Sequence, residues 1–82
     1  MTNLEKYNKI VKSNLRAKDE DLQDDILVYN RYPRWDSVSH VEMVAELEEK
    51  FNVMFATLDI TSFSKYSLGI AILEKLGVNM DQ

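Results

Sequence analysis

The stretch that decides the fold is Asp36-Ser37-Val38-Ser39-His40-Val41-Glu42-Met43-Val44-Ala45-Glu46-Leu47-Glu48-Glu49-Lys50-Phe51. Asp36 has the chemistry of a helix N-cap: its carboxylate can accept from free backbone N–H groups and faces the positive end of the helix dipole. The spacing predicts a helix from Asp36 or Ser37 to near Asn52. At about 100° per residue, His40, Met43, Val44, Leu47 and Phe51 fall within one arc of roughly 100°, the width of a core-facing stripe. Val38, Val41 and Ala45 gather on the opposite side, flanked by Glu42, Glu48 and Glu49. One buried stripe suffices for a surface helix, so the second invites a docking role: an apolar seam edged with carboxylates, suited to a partner with an apolar pocket rimmed by Arg and Lys. A wedge between two neighbouring helices is the plainer alternative.

Outward from this helix, the pattern stays helical. Thr2 and Glu5 form a capping-box pair ahead of Leu4, Tyr7, Ile10, Val11 and Leu15, which share one face of a helix from about Thr2 to Leu15. Residues 16–35 lose the periodicity. Their acidic run Asp19–Asp25 has room for one helical turn, and Ile26, Val28, Tyr29, Tyr32 and Trp35 are expected to pin the loop to the helices. A short turn of helix is expected near Thr57–Thr61. A last helix is expected over Ser64–Leu76, with Ser64 as cap, Phe63 stapled on Leu68, and Gly77 ending it. On that helix Tyr66, Ile70 and Leu73 form one apolar set and Leu68, Ile72 and Leu76 another, one of which should complete the core. The sum is an all-α fold, a small four-helix bundle of three longer helices and one short one, with residues 1–82 as one domain.

Composition narrows function. The chain has 82 residues, 45% of them hydrophobic, with 10 basic against 14 acidic side chains and a net charge of −4. It contains no cysteine and one histidine, His40. A thiolate metal site, a disulfide framework and a histidine-based zinc cluster are thereby excluded. No apolar run reaches the roughly 18–20 residues of a membrane span. The expected address is the cytoplasm and the expected state a monomer. Acidity argues against nucleic acid as a partner. Residues 36–61 carry six carboxylates against Lys50 alone, a net charge of −5, while residues 1–35 sum to +1 and residues 62–82 to zero. Any charged partner should therefore be basic.

Ser37 opens the central helix. Most serines there only cap. As a nucleophile of the chain's own chemistry it lacks a base, because His40 belongs to the core arc. An enzyme is not the expected reading, and chemistry at Ser37 would require a second protein.

These residues resemble the acyl carrier protein family, which has an Asp-Ser-Leu signature at the start of its second helix, then a Val-Glu-Leu-Val run, a Leu-Glu-Glu run and an aromatic residue. The resemblance is close over residues 35–55 and extends in length and helix order to the whole chain. It implies that Ser37 carries a 4′-phosphopantetheine arm, installed from coenzyme A by a magnesium-dependent phosphopantetheinyl transferase, with Asp36 assisting the transferase's metal. The arm's thiol would hold an acyl or aminoacyl group as a thioester, loaded by a ligase and passed to downstream acyl-processing enzymes. The phosphate would meet the free N–H groups and dipole of a helix start, while the Asp36 carboxylate beside it opposes this. The family's recognition surface maps to Val38, Val41, Glu42, Ala45, Glu48 and Glu49, and its core positions to Met43, Val44, Leu47 and Phe51.

Departures point away from housekeeping fatty-acid synthesis and toward a stand-alone carrier of a specialised pathway. Trp35 stands where fatty-acid carriers have glycine, Val38 where they have leucine. The Thr57–Thr61 region holds one acid in place of several, and Arg31 and Arg34 precede the serine. The alternative reading is an unmodified module of carrier-like shape that recruits a basic partner through its acidic second helix.

Overall fold

The capping pair at the start of the chain forms as its chemistry demands. In the computed structural model, which describes residues 1–82, Thr2 Oγ1 accepts from the Glu5 amide at 3.1 Å and Glu5 Oε1 from the Thr2 amide at 2.8 Å. Helix α1 then runs over Asn3–Leu15 and buries Tyr7, Ile10, Val11 and Leu15. Three further helices follow: α2 over Ser37–Phe51, α3 over Thr57–Ser62 and α4 over Tyr66–Lys75. There is no sheet, only an isolated antiparallel bridge between Val28 and Lys65. The molecule is a small helical bundle, measuring 30 × 27 × 19 Å along its principal axes.

Helices α1 and α2 are antiparallel neighbours. Asn14 Nδ2 reaches Glu46 Oε1 at 2.9 Å near one end of the pair, and Lys6 Nζ lies 5.0 Å from the centre of the Phe51 ring near the other. Met43, Val44 and Leu47 of α2 close on the α1 stripe. The arc predicted from residue spacing is thus the core stripe of α2, with Phe51 half-buried at its edge.

The long connection between α1 and α2 departs from expectation in its anchors. Leu27, absent from the expected set, is fully buried, whereas Ile26 points outward. Trp35 is 1% exposed and Val28, Tyr29 and Tyr32 are half-buried. The backbone explains the exchange. Val28 bridges to Lys65 and the Tyr29 amide donates to the Ser64 carbonyl at 2.9 Å, which turns Leu27 inward between them. The acidic run holds one turn of 3-10 helix, Asp19–Asp21, where Lys12 Nζ meets Asp19 Oδ1 at 2.6 Å and offsets part of the local repulsion.

Helix α4 brings three corrections. Ser64 does not cap it; Lys65 occupies the cap position and offers no side-chain bond. The free amide of Ser67 is met by Asp24 Oδ1 at 2.8 Å, while Asp24 Oδ2 accepts from Ser67 Oγ at 2.6 Å. In place of the expected staple, Phe63 is buried among Trp35, His40 and Phe55, and Leu68 is left 37% exposed. The core takes Gly69, Ile72 and Leu73, drawing on both apolar sets in place of one. Gly69 sets this rotation: a Cβ there would stand 2.7 Å from the Phe63 ring and collide with Tyr7 Oη, so only glycine lets α4 approach so closely. Gly77, at φ 96°, ends the helix as expected. Its amide bonds the Glu74 carbonyl and the Val78 amide bonds Leu73, the paired bonds of a Schellman stop. The tail returns to α1, where the Leu4 amide donates to Met80, itself buried.

Candidate functional site

The start of α2 is built by its neighbours, not by the serine that opens it. Asp36 Oδ1 accepts from the amides of Val38 at 3.1 Å and Ser39 at 2.9 Å. Ser39 Oγ returns the favour by accepting from the Asp36 amide at 3.0 Å, and it donates to the Arg34 carbonyl at 2.7 Å. These bonds, the Ser39 amide first among them, hold the Asp36 carboxyl below the usual carboxylate range. All the capping work therefore falls to Asp36 and Ser39. Ser37 sits at the first helical position, exposed, with its hydroxyl outside this network. The commonest reason for a serine at a helix start is absent here.

Two buried ring side chains, Trp35 and His40, flank the exposed serine in sequence and bond to each other. Trp35 Nε1 donates to His40 Nδ1 at 3.0 Å, so the imidazole proton is on Nε2, which donates to the Ile60 carbonyl at 2.8 Å. The ring also lies 5.1 Å from Tyr29 and 5.5 Å from Phe63, centre to centre. His40 thus ties together three parts of the molecule: the residue preceding the cap, the first turns of α2, and α3. Both its nitrogens are occupied, so its imidazole is not free to serve Ser37 as a base. The sequence placed His40 on the core arc but gave no partner for its nitrogens. The usable signal was that a buried imidazole needs two, and Trp35 supplies a donor.

The opposite face of α2 stands clear of the protein. Val38 is 67% and Val41 64% exposed, and Ala45, Glu42 and Glu49 are exposed with them. A helix wedged between two neighbours would have buried them. Glu48 differs. It is half-buried, and its Oε2 accepts from the Phe55 amide at 2.8 Å, fixing the turn out of α2. Five of the six expected recognition residues therefore present a free surface, and Glu48 has a structural duty that its position on the helix did not reveal.

Helix α3 contributes little charge. Asp59 is buried, accepts from the Ala56 amide at 3.1 Å and pairs with Lys75 of α4. The Lys75 contact and the Ala56 amide hold its carboxyl below the ordinary range. Leu58, by contrast, is exposed.

A phosphate ester on Ser37 fits this geometry in one respect and departs in another. The oxygen is accessible and the helix dipole favours a negative group there. The expected cradle of amides is lacking, since Val38 and Ser39 already donate to Asp36. Such a group would be held by its covalent bond and stand in solvent. No protein-family model and no curated protein matches the chain. No helix is long and apolar enough to cross a membrane.

Proposed function

We propose that this chain is a carrier that bears 4′-phosphopantetheine on Ser37 and presents an acyl or aminoacyl thioester to partner enzymes. The observation that carries the reading is the division of labour at the start of α2: Asp36 and Ser39 make the cap, and Ser37 Oγ is left exposed at a fixed position. A serine relieved of capping, on a helix start clamped through Trp35 and His40, suits an attachment point. When attached, the arm would supply the thiol that a chain without cysteine lacks.

The chain's own residues have four tasks in this reading. Asp36 orders the first turn and offers a carboxylate next to the acceptor oxygen, where an incoming transferase could place its magnesium. Trp35 and His40 fix the height of Ser37 relative to α3. Val38, Val41 and Ala45 give an approaching enzyme an apolar contact. Glu42 and Glu49 favour partners with a basic surface and speed encounter at low salt. The activating base must come from the transferase, because both nitrogens of His40 are engaged. Loading ligases and downstream enzymes would dock on the same face, and a long tether would raise the effective concentration of cargo at each of them.

The test is the intact mass of the chain after incubation with coenzyme A, magnesium and a broad-specificity phosphopantetheinyl transferase. One addition is expected on the wild type and none on Ser37→Ala. An unmodified wild type, or an addition that persists in Ser37→Ala, overturns the reading. A second reading, an arm-free module that recruits a basic partner through α2, is favoured by the exposure of Val38 and Val41 beside free carboxylates. It expects partner binding unchanged by Ser37→Ala and lost on Glu42→Lys with Glu49→Lys.

A further inference from the structure

The spacing of Glu5 with Lys9 and of Glu46 with Lys50 is that of pairs one helical turn apart, which ordinarily attract each other. The fold draws both carboxylates elsewhere. Glu5 Oε1 accepts from the Thr2 amide at 2.8 Å in the capping box, and Glu46 Oε1 accepts from Asn14 Nδ2 at 2.9 Å. Neither Lys6 nor Lys9 has a carboxylate within ion-pair distance, and Lys50 has only Glu49, at a long 4.0 Å. These lysines meet at one place. A groove of about 280 Å³ between the first half of α1 and the end of α2 is lined by Lys6, Lys9 and Lys50, with Ile10 beneath and Glu46 as its one carboxylate. A second concavity of about 340 Å³ continues past Lys6 and Lys50 along Phe51. The Lys6 ammonium lies over the Phe51 ring, which holds the charge at the lip between the two lobes.

We infer that this two-lobed groove is a docking site for an extended acidic segment of a partner protein. Three ammonium groups against one carboxylate set the sign of the occupant, on a chain whose net charge is −4. Two adjoining concavities that share Lys6 and Lys50, with the half-buried Phe51 ring along the second, suit a strand of alternating acidic and apolar side chains better than a single small anion. Lys50 is thirteen residues beyond Ser37, about 20 Å along α2. An occupant here leaves the serine and the acidic face of α2 free, and the site is independent of what Ser37 carries.

The experiment is an amide NMR titration of the full chain, at low ionic strength, with a short synthetic peptide alternating glutamate and leucine. Shifts are expected at Lys6, Lys9, Ile10 and Lys50. Lys9→Glu with Lys50→Glu should weaken binding by about tenfold or more, and Lys18→Glu should leave it within about twofold. Added salt should weaken it further. Lys9→Gln, which keeps the helix and its length, should cost about two- to threefold and serves if the reversed pair does not fold. Absence of binding at low salt overturns the proposal. So does binding insensitive to these lysines, or inorganic phosphate displacing the peptide at equal concentration.

Discussion

Two helix starts in this molecule solve the same problem by opposite means. At α2 the free amides are met by Asp36 and Ser39, within three residues of each other; at α4 the amide of Ser67 is met by Asp24, forty-three residues away. The local solution needs no tertiary structure and can form as soon as the helix does. The distant one exists only when the long connection has closed on α4, so it couples that loop to the bundle. The first arrangement leaves a neighbouring hydroxyl, that of Ser37, outside the cap and exposed. The second uses up Ser67 entirely, since its Oγ also bonds Asp24.

The comparison can be broken most severely at α4. Gly69→Ala pushes a methyl into Tyr7 and Phe63 and is expected to cost about 3 kcal/mol, read from urea unfolding. An unchanged midpoint would show that α4 does not depend on that close approach. Next in size, Asp24→Ala should lower the melting temperature and speed hydrogen exchange at Ser67 while leaving Val38 and Ser39 protected. Asp36→Ala should do the reverse, exposing the Val38 and Ser39 amides and sparing α4. If either substitution frays both helices, the local and distant caps are not independent.

Acid sharpens the same contrast. Hydrogen bonds to Ser39, Ser67 and Lys75 lower the carboxyls of Asp36, Asp24 and Asp59 respectively, and the Thr2 amide lowers Glu5. Between folded and unfolded values the unfolded chain binds more protons, so these groups stabilise fully above the ordinary carboxylate range. That contribution is lost as pH falls through their depressed folded values. Acid titration of the wild type should show this decline, and Asp24→Asn should flatten it. The smallest effect is expected of Ser37→Ala, within about 0.5 kcal/mol of the wild type, because its hydroxyl supports nothing in the fold.

What could be read in advance follows the same division. The capping box at Thr2, the cap at Asp36, the core arc of α2 and the glycine stop at Gly77 depend on neighbours in sequence, and each stands where its spacing put it. Leu27, Asp24 and the glycine contact of α4 depend on what the loop and helices meet in space, and nothing near them in the chain announces it. The candidate site divides likewise. The Asp36 cap is legible from its neighbours, and so is the exposed face of Val38 and Val41. The bond that Glu48 makes is not legible there, because its partner, the Phe55 amide, comes after the helix has turned back. The long-range pairing of His40 with Ile60 was hidden for the same reason.

Trp35 is the chain's single tryptophan, and its indole N–H is committed to His40 directly beneath the cap. Ultraviolet excitation of that ring reports on one spot in the molecule, the footing of the serine. Events at Ser37 that disturb the footing should be visible as a change in emission without any added label, while events at the lysine groove should leave the signal dark to them. The protein thus carries its own optical gauge for telling its two ends apart.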